Sequence, residues 1–306
     1  MRSHYWDAGR SASFAATTDD ERATLRRVLP KILDAATRTP PGDVRSLAPE
    51  LSAVGLSLEA WTMERQTFWA IREAASAIRG AGLYLIRVAP AKNDGGRPSS
   101  EIILQAPHDG FDLHTGPIAL AMFVAPTRAR LVRMLFVNSI PRYAAAPGRQ
   151  KPERGATASD VAHNPDHLFT AVTVAAAAAL DKSIVIQLHG FEIDSAPADT
   201  VAIVSASSRE HSSATSTAVA EHLRAVLGEG VLRFPEDISG LGGTRNAQAK
   251  ALSGLGVAFV HLELSKELRA RLAKQPKLAA QLLGAITDPE VDPRFVEGVL
   301  LEAAQR

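Results

Sequence analysis

Apolar residues recur along this chain in two rhythms. One has the 3.6-residue period of a helix, and the other consists of short apolar runs that stop at polar or glycine positions. Segment 19–37 has the helical rhythm, with acidic residues at its start, Arg26, Arg27 and Lys31 further on, and an interruption expected near Pro30. Pro40-Pro41-Gly42 breaks the chain. Ser57 is then placed to cap a second helix, LEAWTMERQTFWAIREAASAIR, closed by Gly80. Trp61, Phe68 and Ile71 would form its core-facing stripe.

From residue 82 short runs dominate. LYLIRV (83–88) and IILQ (102–105) read as strands joined by the polar loop AKNDGGRPSS. RLVRMLFVN (130–138), SIVIQL (183–188), VAIVS (201–205) and VAFVHLEL (257–264) read as further strands. Helices are expected between them: one opened by Asn164-Pro165-Asp166 and running through HLFTAVTVAAAAALDK, one over 213–227, and a C-terminal segment from 266 to 306. Strands alternating with helices predict a three-layer α/β/α fold with a mostly parallel or mixed sheet. Residues 1–80 read as a helical layer packed on an α/β domain of residues 81–306.

Composition narrows the function. With 306 residues, 46% of them hydrophobic and 22% charged, the chain can build a globular core. The 34 basic and 33 acidic residues are scattered, so there is no clustered basic face for nucleic acid. The longest apolar run, 175–180, is far below the ~20 residues needed to cross a bilayer, and the N-terminus lacks an apolar signal core. A soluble protein is expected, suited to cytosol or periplasm alike. Cysteine is absent, which removes disulfides, thiolate metal sites and cysteine nucleophiles; any metal must be held by His, Asp or Glu.

Three strand ends carry such residues, and open α/β sheets place their sites at strand carboxyl ends. ILQAPHDGFDLHTG delivers His108, Asp109, Asp112 and His114 on one loop, with Gly110 and Gly116 for tight turns. SIVIQLHGFE delivers His189 from a buried strand, with Glu192 three residues on. VAFVHLELSKELR holds His261 and Glu263 on one face of an apolar strand, where a carboxylate is costly unless paired or near a cation. A solvated turn, a half-buried histidine and a carboxylate satisfied by Arg269 are the plain alternatives. Together, two histidines and a carboxylate make a common catalytic zinc set with one position open for water.

PHDGFDLHTG, QLHG and HLELSKELR, in this order, resemble the metal-binding and terminal glutamate motifs of the zinc carboxypeptidase superfamily, and within it the N-formylglutamate amidohydrolases and poly-γ-glutamate hydrolases. The blocks span residues 101–270. The resemblance implies a phosphorylase/hydrolase-type α/β/α fold and hydrolysis of amide bonds in peptides, acyl-amino acids or poly-γ-glutamate. It further implies one zinc ion per chain on His108, Asp112 and His189, with Glu263 as general base. The superfamily places Glu three residues after the first histidine, where this chain has Phe111; Asp112 is the nearest fit and Asp109 the fallback. For the arginine that binds the substrate carboxylate, Arg142 in NSIPRY is the first candidate and Arg245 in LGGTRNAQAK the second. His114, Glu192 and His261 are candidate orienting groups. The altered ligand spacing keeps a second reading open: a non-catalytic ligand- or partner-binding protein on the same fold.

Other motifs carry less. Asp160, His163 and His167 offer a second metal reading, but Pro165 lies between the histidines at a helix start and keeps them off one regular helical face; capping or loop-ordering roles are expected, with a place at the cleft border for Asp160 or His163 as the alternative. Gly240-Leu241-Gly242-Gly243 lacks the third glycine and the preceding strand of a dinucleotide fingerprint. There is no Gly-x-Ser-x-Gly elbow and no P-loop, which argues against a serine hydrolase or a nucleotide enzyme.

Overall fold

The computed structural model describes residues 9–89, 93–94, 97–98, 101–125, 132–180 and 182–287. The strands in chain order are β1 (Leu56–Met63), β2 (Gln66–Glu73), β3 (Leu83–Arg87), the short β4 (Asn93–Asp94) and β5 (Arg97–Pro98), β6 (Ile102–Ala106), β7 (Val132–Val137), β8 (Ile184–Phe191), β9 (Ala202–Ser205), β10 (Val231–Phe234) and β11 (Ala258–Ser265). The helices are α1 (Asp19–Thr37), α2 (Ala48–Ser52), α3 (Thr115–Val124), α4 (Leu168–Ala179), α5 (Ala214–Leu227), α6 (Ala247–Ser253), α7 (Lys266–Lys274) and α8 (Pro276–Thr287).

Among the described residues, nine strands form one mixed sheet in the order β1-β2-β3-β7-β6-β8-β11-β9-β10. Its centre is parallel: β7, β6, β8 and β11 run the same way, so their carboxyl ends meet at one edge. Alternate residues of these strands enter two cores. Leu104, Ile186 and Val260 pack with α3, α5, α7 and α8 on one face, while Ile103, Val185 and Phe259 pack with α1, α4 and α6 on the other. This is the expected three-layer α/β/α arrangement. No helix among the described residues is long and apolar enough to cross a membrane.

The expected helix from Ser57 to Gly80 is instead a hairpin, β1 paired antiparallel with β2 and extending the sheet through β3. Phe68 and Ala70 enter one core while Trp69 and Ile71 enter the other, so the run is buried on both sides as only a strand allows. Glu64 and Arg65, both at positive φ, make the two-residue turn whose twist matches the strands. Trp61, Phe68 and Ile71 match a helical stripe by coincidence of spacing. Residues 1–80 are therefore not an all-helical layer, since their last third belongs to the main sheet.

Smaller corrections follow the same logic. α1 continues through Pro30, held by the buried face of Leu25, Val28, Leu29, Ile32 and Leu33. The helix expected at Asn164 begins at Leu168. Asn164 Oδ1 instead accepts from Asp166 N, and His167 is the cap, its Nδ1 accepting from Phe169 N at 3.0 Å. The strand expected over 130–138 is described from Val132. Residues 130–131, most of AKNDGGRPSS and residues 288–306 lie outside the described residues.

Candidate metal centre and its cleft

The site sits at the carboxyl edge of the parallel strands. After β6, the chain turns at once: Phe111 N and Asp112 N both donate to His108 O at 2.9 Å. This single helical turn puts positions i and i+4 on one face, and His108 Nδ1 lies 3.3 Å from Asp112 Oδ2. The departure from three-residue spacing is thus absorbed locally. Gly110, at φ +87°, permits the turn. Asp109 faces elsewhere: its Oδ1 accepts from Gly116 N at the start of α3, and a Cβ on Gly116 would strike its carboxylate. His114 is exposed, at φ +77°. Neither Asp109 nor His114 joins the cluster.

β8 brings His189 to the same point. Its Nδ1 lies 3.1 Å from His108 Nδ1 and 3.2 Å from Asp112 Oδ2. Three atoms bearing lone pairs thus form a triangle 3.1–3.3 Å on a side. A tetrahedral cation bound at 2.0–2.2 Å separates its ligand atoms by roughly 3.3 Å, so the spacing of these three atoms matches a zinc-sized ion. The other ring nitrogens point away from the triangle, His108 Nε2 to Asp160 Oδ1 at 2.8 Å and His189 Nε2 to Gln187 Oε1 at 2.7 Å. Carboxylate or amide partners of this kind orient metal-bound histidines.

β11 pairs in parallel with β8, and the register sets Glu263 beside His189 and His261 beside Gln187. His261 stacks on His189 with ring centroids 4.3 Å apart, and a Glu263 oxygen lies within 4.8 Å of a ring nitrogen of each. Glu263 Oε2 and His261 Nδ1 are buried without hydrogen-bond partners. An orphaned carboxyl oxygen at this position fits a bound water or a substrate group.

Electrostatics follow from burial and neighbours. Burial pushes the Glu263 carboxyl up to about 8, and the charge of Asp112 adds to it. Burial pushes His189 down to about 4. For Asp112, burial opposes ionisation, but His108 and His189 outweigh it and hold the pKa far below the usual range. Burial alone would lower His108; Asp112 and Asp160 on either side raise it instead. The centre is thus built to keep Asp112 charged and Glu263 able to hold a proton.

Asp160 belongs to this centre rather than to a helix cap. It is 1% exposed; its Oδ2 accepts from Arg142 Nε and Nη2, and His163 Nδ1 lies 3.1 Å from its Oδ1. Arg142 reaches the site but is committed to Asp160, with Nη1 3.2 Å from His108 Nδ1. Arg245 lines the cleft together with Arg209 and makes no hydrogen bond or ion pair with any described residue. Glu192 lies at the edge, paired with Lys266. The cleft encloses about 400 Å³. The glycine run 240–243 forms its wall: Gly243, at φ +61°, packs its backbone on the His261 ring, where a Cβ would come within 2.5 Å.

No protein-family model matches the chain, and no curated protein does. Among solved structures it is similar to a zinc-free YndL, at 16% identity over 68% of this chain and 85% of that one, with a TM-score of 0.36. A metallo-carboxypeptidase from Burkholderia cenocepacia shares 11% identity over 76% of each chain, at a TM-score of 0.41. The product-bound ectoine utilization protein EutE (DoeB) from Ruegeria pomeroyi shares 14% over 76% of this chain and 71% of that one, also at 0.41. Likenesses this distant carry no argument about activity, which rests on the chain's own residues.

Proposed function

We propose that the chain is a zinc-dependent hydrolase of amide bonds, with His108, Asp112 and His189 holding one zinc ion and Glu263 as general base. The reading is carried by the triangle of two Nδ1 atoms and one Oδ2, 3.1–3.3 Å on a side, next to a buried carboxyl with an unpartnered oxygen. A zinc ion there would supply Lewis acidity, lowering the pKa of water to roughly 7 and polarising a carbonyl. Glu263 would take the proton of the attacking water on its unpartnered oxygen and return it to the leaving nitrogen, which balances the two proton transfers of amide hydrolysis.

Arg142 is held by Asp160, so Arg245 is the better partner for a substrate carboxylate, free in the cleft to make paired hydrogen bonds. Substrates of the carboxypeptidase, N-acyl-amino-acid or poly-γ-glutamate type would present such a carboxylate. The turn at His108, which brings Asp112 Oδ2 to 3.3 Å from its Nδ1 despite the i+4 spacing, supports the catalytic reading over a binding-only protein on the same fold.

The test is metal content by elemental mass spectrometry, for wild type and His189→Ala, followed by turnover of carboxylate-bearing amides. About one zinc per chain, lost in the variant, with turnover abolished in Glu263→Gln, supports the reading. A wild-type protein that retains no zinc after loading and dialysis sinks it.

A further inference from the structure

Beneath the candidate centre lies a layer of amide side chains that the proposed chemistry does not use. Gln187, on β8, is fully buried and makes four hydrogen bonds, the full capacity of its amide. Its Oε1 faces His189 Nε2 at 2.7 Å and accepts from Asn246 Nδ2 at 2.5 Å. Its Nε2 donates to Gln105 Oε1 at 2.8 Å and to Gln248 Oε1 at 3.1 Å.

A side-chain amide can be turned end for end, so its orientation needs a cause. Here each branch ends on a backbone group of fixed polarity. Gln105 Nε2 donates to Thr173 Oγ1, and that hydroxyl spends its own proton on Phe169 O. Gln248 Nε2 donates to Val161 O, which can only accept. Asn246 Oδ1 accepts from Ala249 N, which can only donate. Reversing Gln187 would set donor against donor at Asn246 and oxygen against oxygen at Gln105 and Gln248. The oxygen of Gln187 must therefore face His189, and His189 must carry its proton on Nε2.

We infer that Gln187 is a positioning residue that fixes the tautomer of His189, leaving the Nδ1 lone pair directed at the triangle with His108 and Asp112. The inference rests on the reading of His189 as a metal ligand only for its purpose, since the tautomer exists with or without metal. Asp112 exerts the opposing pull: its Oδ2, 3.2 Å from His189 Nδ1, would draw the proton to that nitrogen if the amide oxygen were absent. A neutral amide does here what a carboxylate does at His108, without adding a further buried charge beside Asp112 and Asp160.

The experiment is nitrogen-15 imidazole NMR on the metal-free full chain, paired with competitive zinc titration, for wild type, Gln187→Met and Gln187→Glu. The wild type should show His189 as the Nε2–H tautomer. Gln187→Met keeps the volume but removes the acceptor, so His189 should shift to Nδ1–H and zinc affinity should fall about 10- to 100-fold. Gln187→Glu keeps an oxygen against Nε2 and should retain the wild-type tautomer; it carries the test should Gln187→Met fail to fold, and an Nδ1–H tautomer in it refutes the proposal. An Nδ1–H tautomer in wild type, or an unchanged tautomer in Gln187→Met, likewise overturns the assignment. An Nε2–H wild type that switches in Gln187→Met but binds no zinc in any form leaves the tautomer lock standing and defeats the hydrolase reading.

Discussion

Replacing Asp160 by Asn tests the centre without touching a proposed ligand. The carboxylate is buried, with one oxygen 2.8 Å from His108 Nε2 and the other taken by Arg142. Asn has nearly the same shape, but one carboxylate oxygen becomes an NH2 group. If its oxygen stays on Arg142, the NH2 opposes His108 Nε2 and drives the imidazole proton to Nδ1, the atom that faces Asp112 and His189. If its oxygen turns to His108, the NH2 opposes the guanidinium. Either way a charge-assisted hydrogen bond worth about 1.5–3 kcal/mol is lost. Loss of such a partner weakens metal binding by about 10- to 100-fold, or about 1.4–2.7 kcal/mol, so two routes reach the same range. The assay is zinc affinity by chelator competition, with urea unfolding of the metal-free protein as a control for general damage. Equal affinity in wild type and Asp160→Asn, in a variant that unfolds normally, would show that Asp160 does not orient His108 and would refute the reasoning.

Other expectations follow from single contacts. Glu263→Gln keeps the shape beside His189 but cannot accept a proton; zinc content should stay at the wild-type level while amide turnover drops about 10²- to 10⁴-fold, and a fall of less than tenfold would remove Glu263 as the base. Gly190→Ala would set a Cβ 1.8 Å from Arg269 Nη1, on a guanidinium pinned by Leu113 O, Phe191 O and Leu264 O, so urea unfolding should show a loss of about 2–3 kcal/mol. Burial pushes His167 down to about 4, with Arg79 and Arg22 adding to it and the Gly80 carbonyl opposing. The unfolded histidine titrates near 6.5, so this contribution is complete above that pH and is lost as the pH falls toward 4, amounting to about 2 kcal/mol by pH 5. His167→Asn preserves a side-chain oxygen for the Phe169 cap, and unfolding at pH 7 and pH 5 should show its stability falling less on acidification than that of wild type.

What the sequence disclosed depended on how far each contact reaches along the chain. His108, His189 and Glu263 stand out because each interrupts or ends an apolar run, and strand ends of a parallel sheet converge wherever the loops lead. Spacing alone leaves Asp112 and Asp109 level; the turn at His108 sets Asp112 beside its ring while Asp109 turns to Gly116 N. Asp160 lies 52 residues from the ring it orients, on a loop with no period; the i+3 spacing to His163 was its only trace. The β1–β2 hairpin was hidden because burial on two faces mimics an apolar stripe when only three large residues are weighed.

The amide layer was present in the sequence as a glutamine late in each of two apolar runs, IILQ and SIVIQL, and its meaning depends on register. Across β6, β8 and β11, one row on the site-bearing face is apolar: Ile103, Val185 and Phe259. The next is polar and uncharged by design of its residues: Gln105, Gln187 and His261. The last pairs His189 with Glu263. Each row lies one pleat repeat, about 7 Å, nearer the strand ends. An ionisable pair set directly on the apolar row would leave ring nitrogens and carboxyl oxygens facing methyl groups, each costing about 1–3 kcal/mol unpaired. The glutamine row removes that cost where it would fall on His189 and carries the fixed polarity of α4 and α6 backbone groups up to its ring. The partner it cannot reach is Glu263, whose unpartnered oxygen is the atom the proposed reaction needs free.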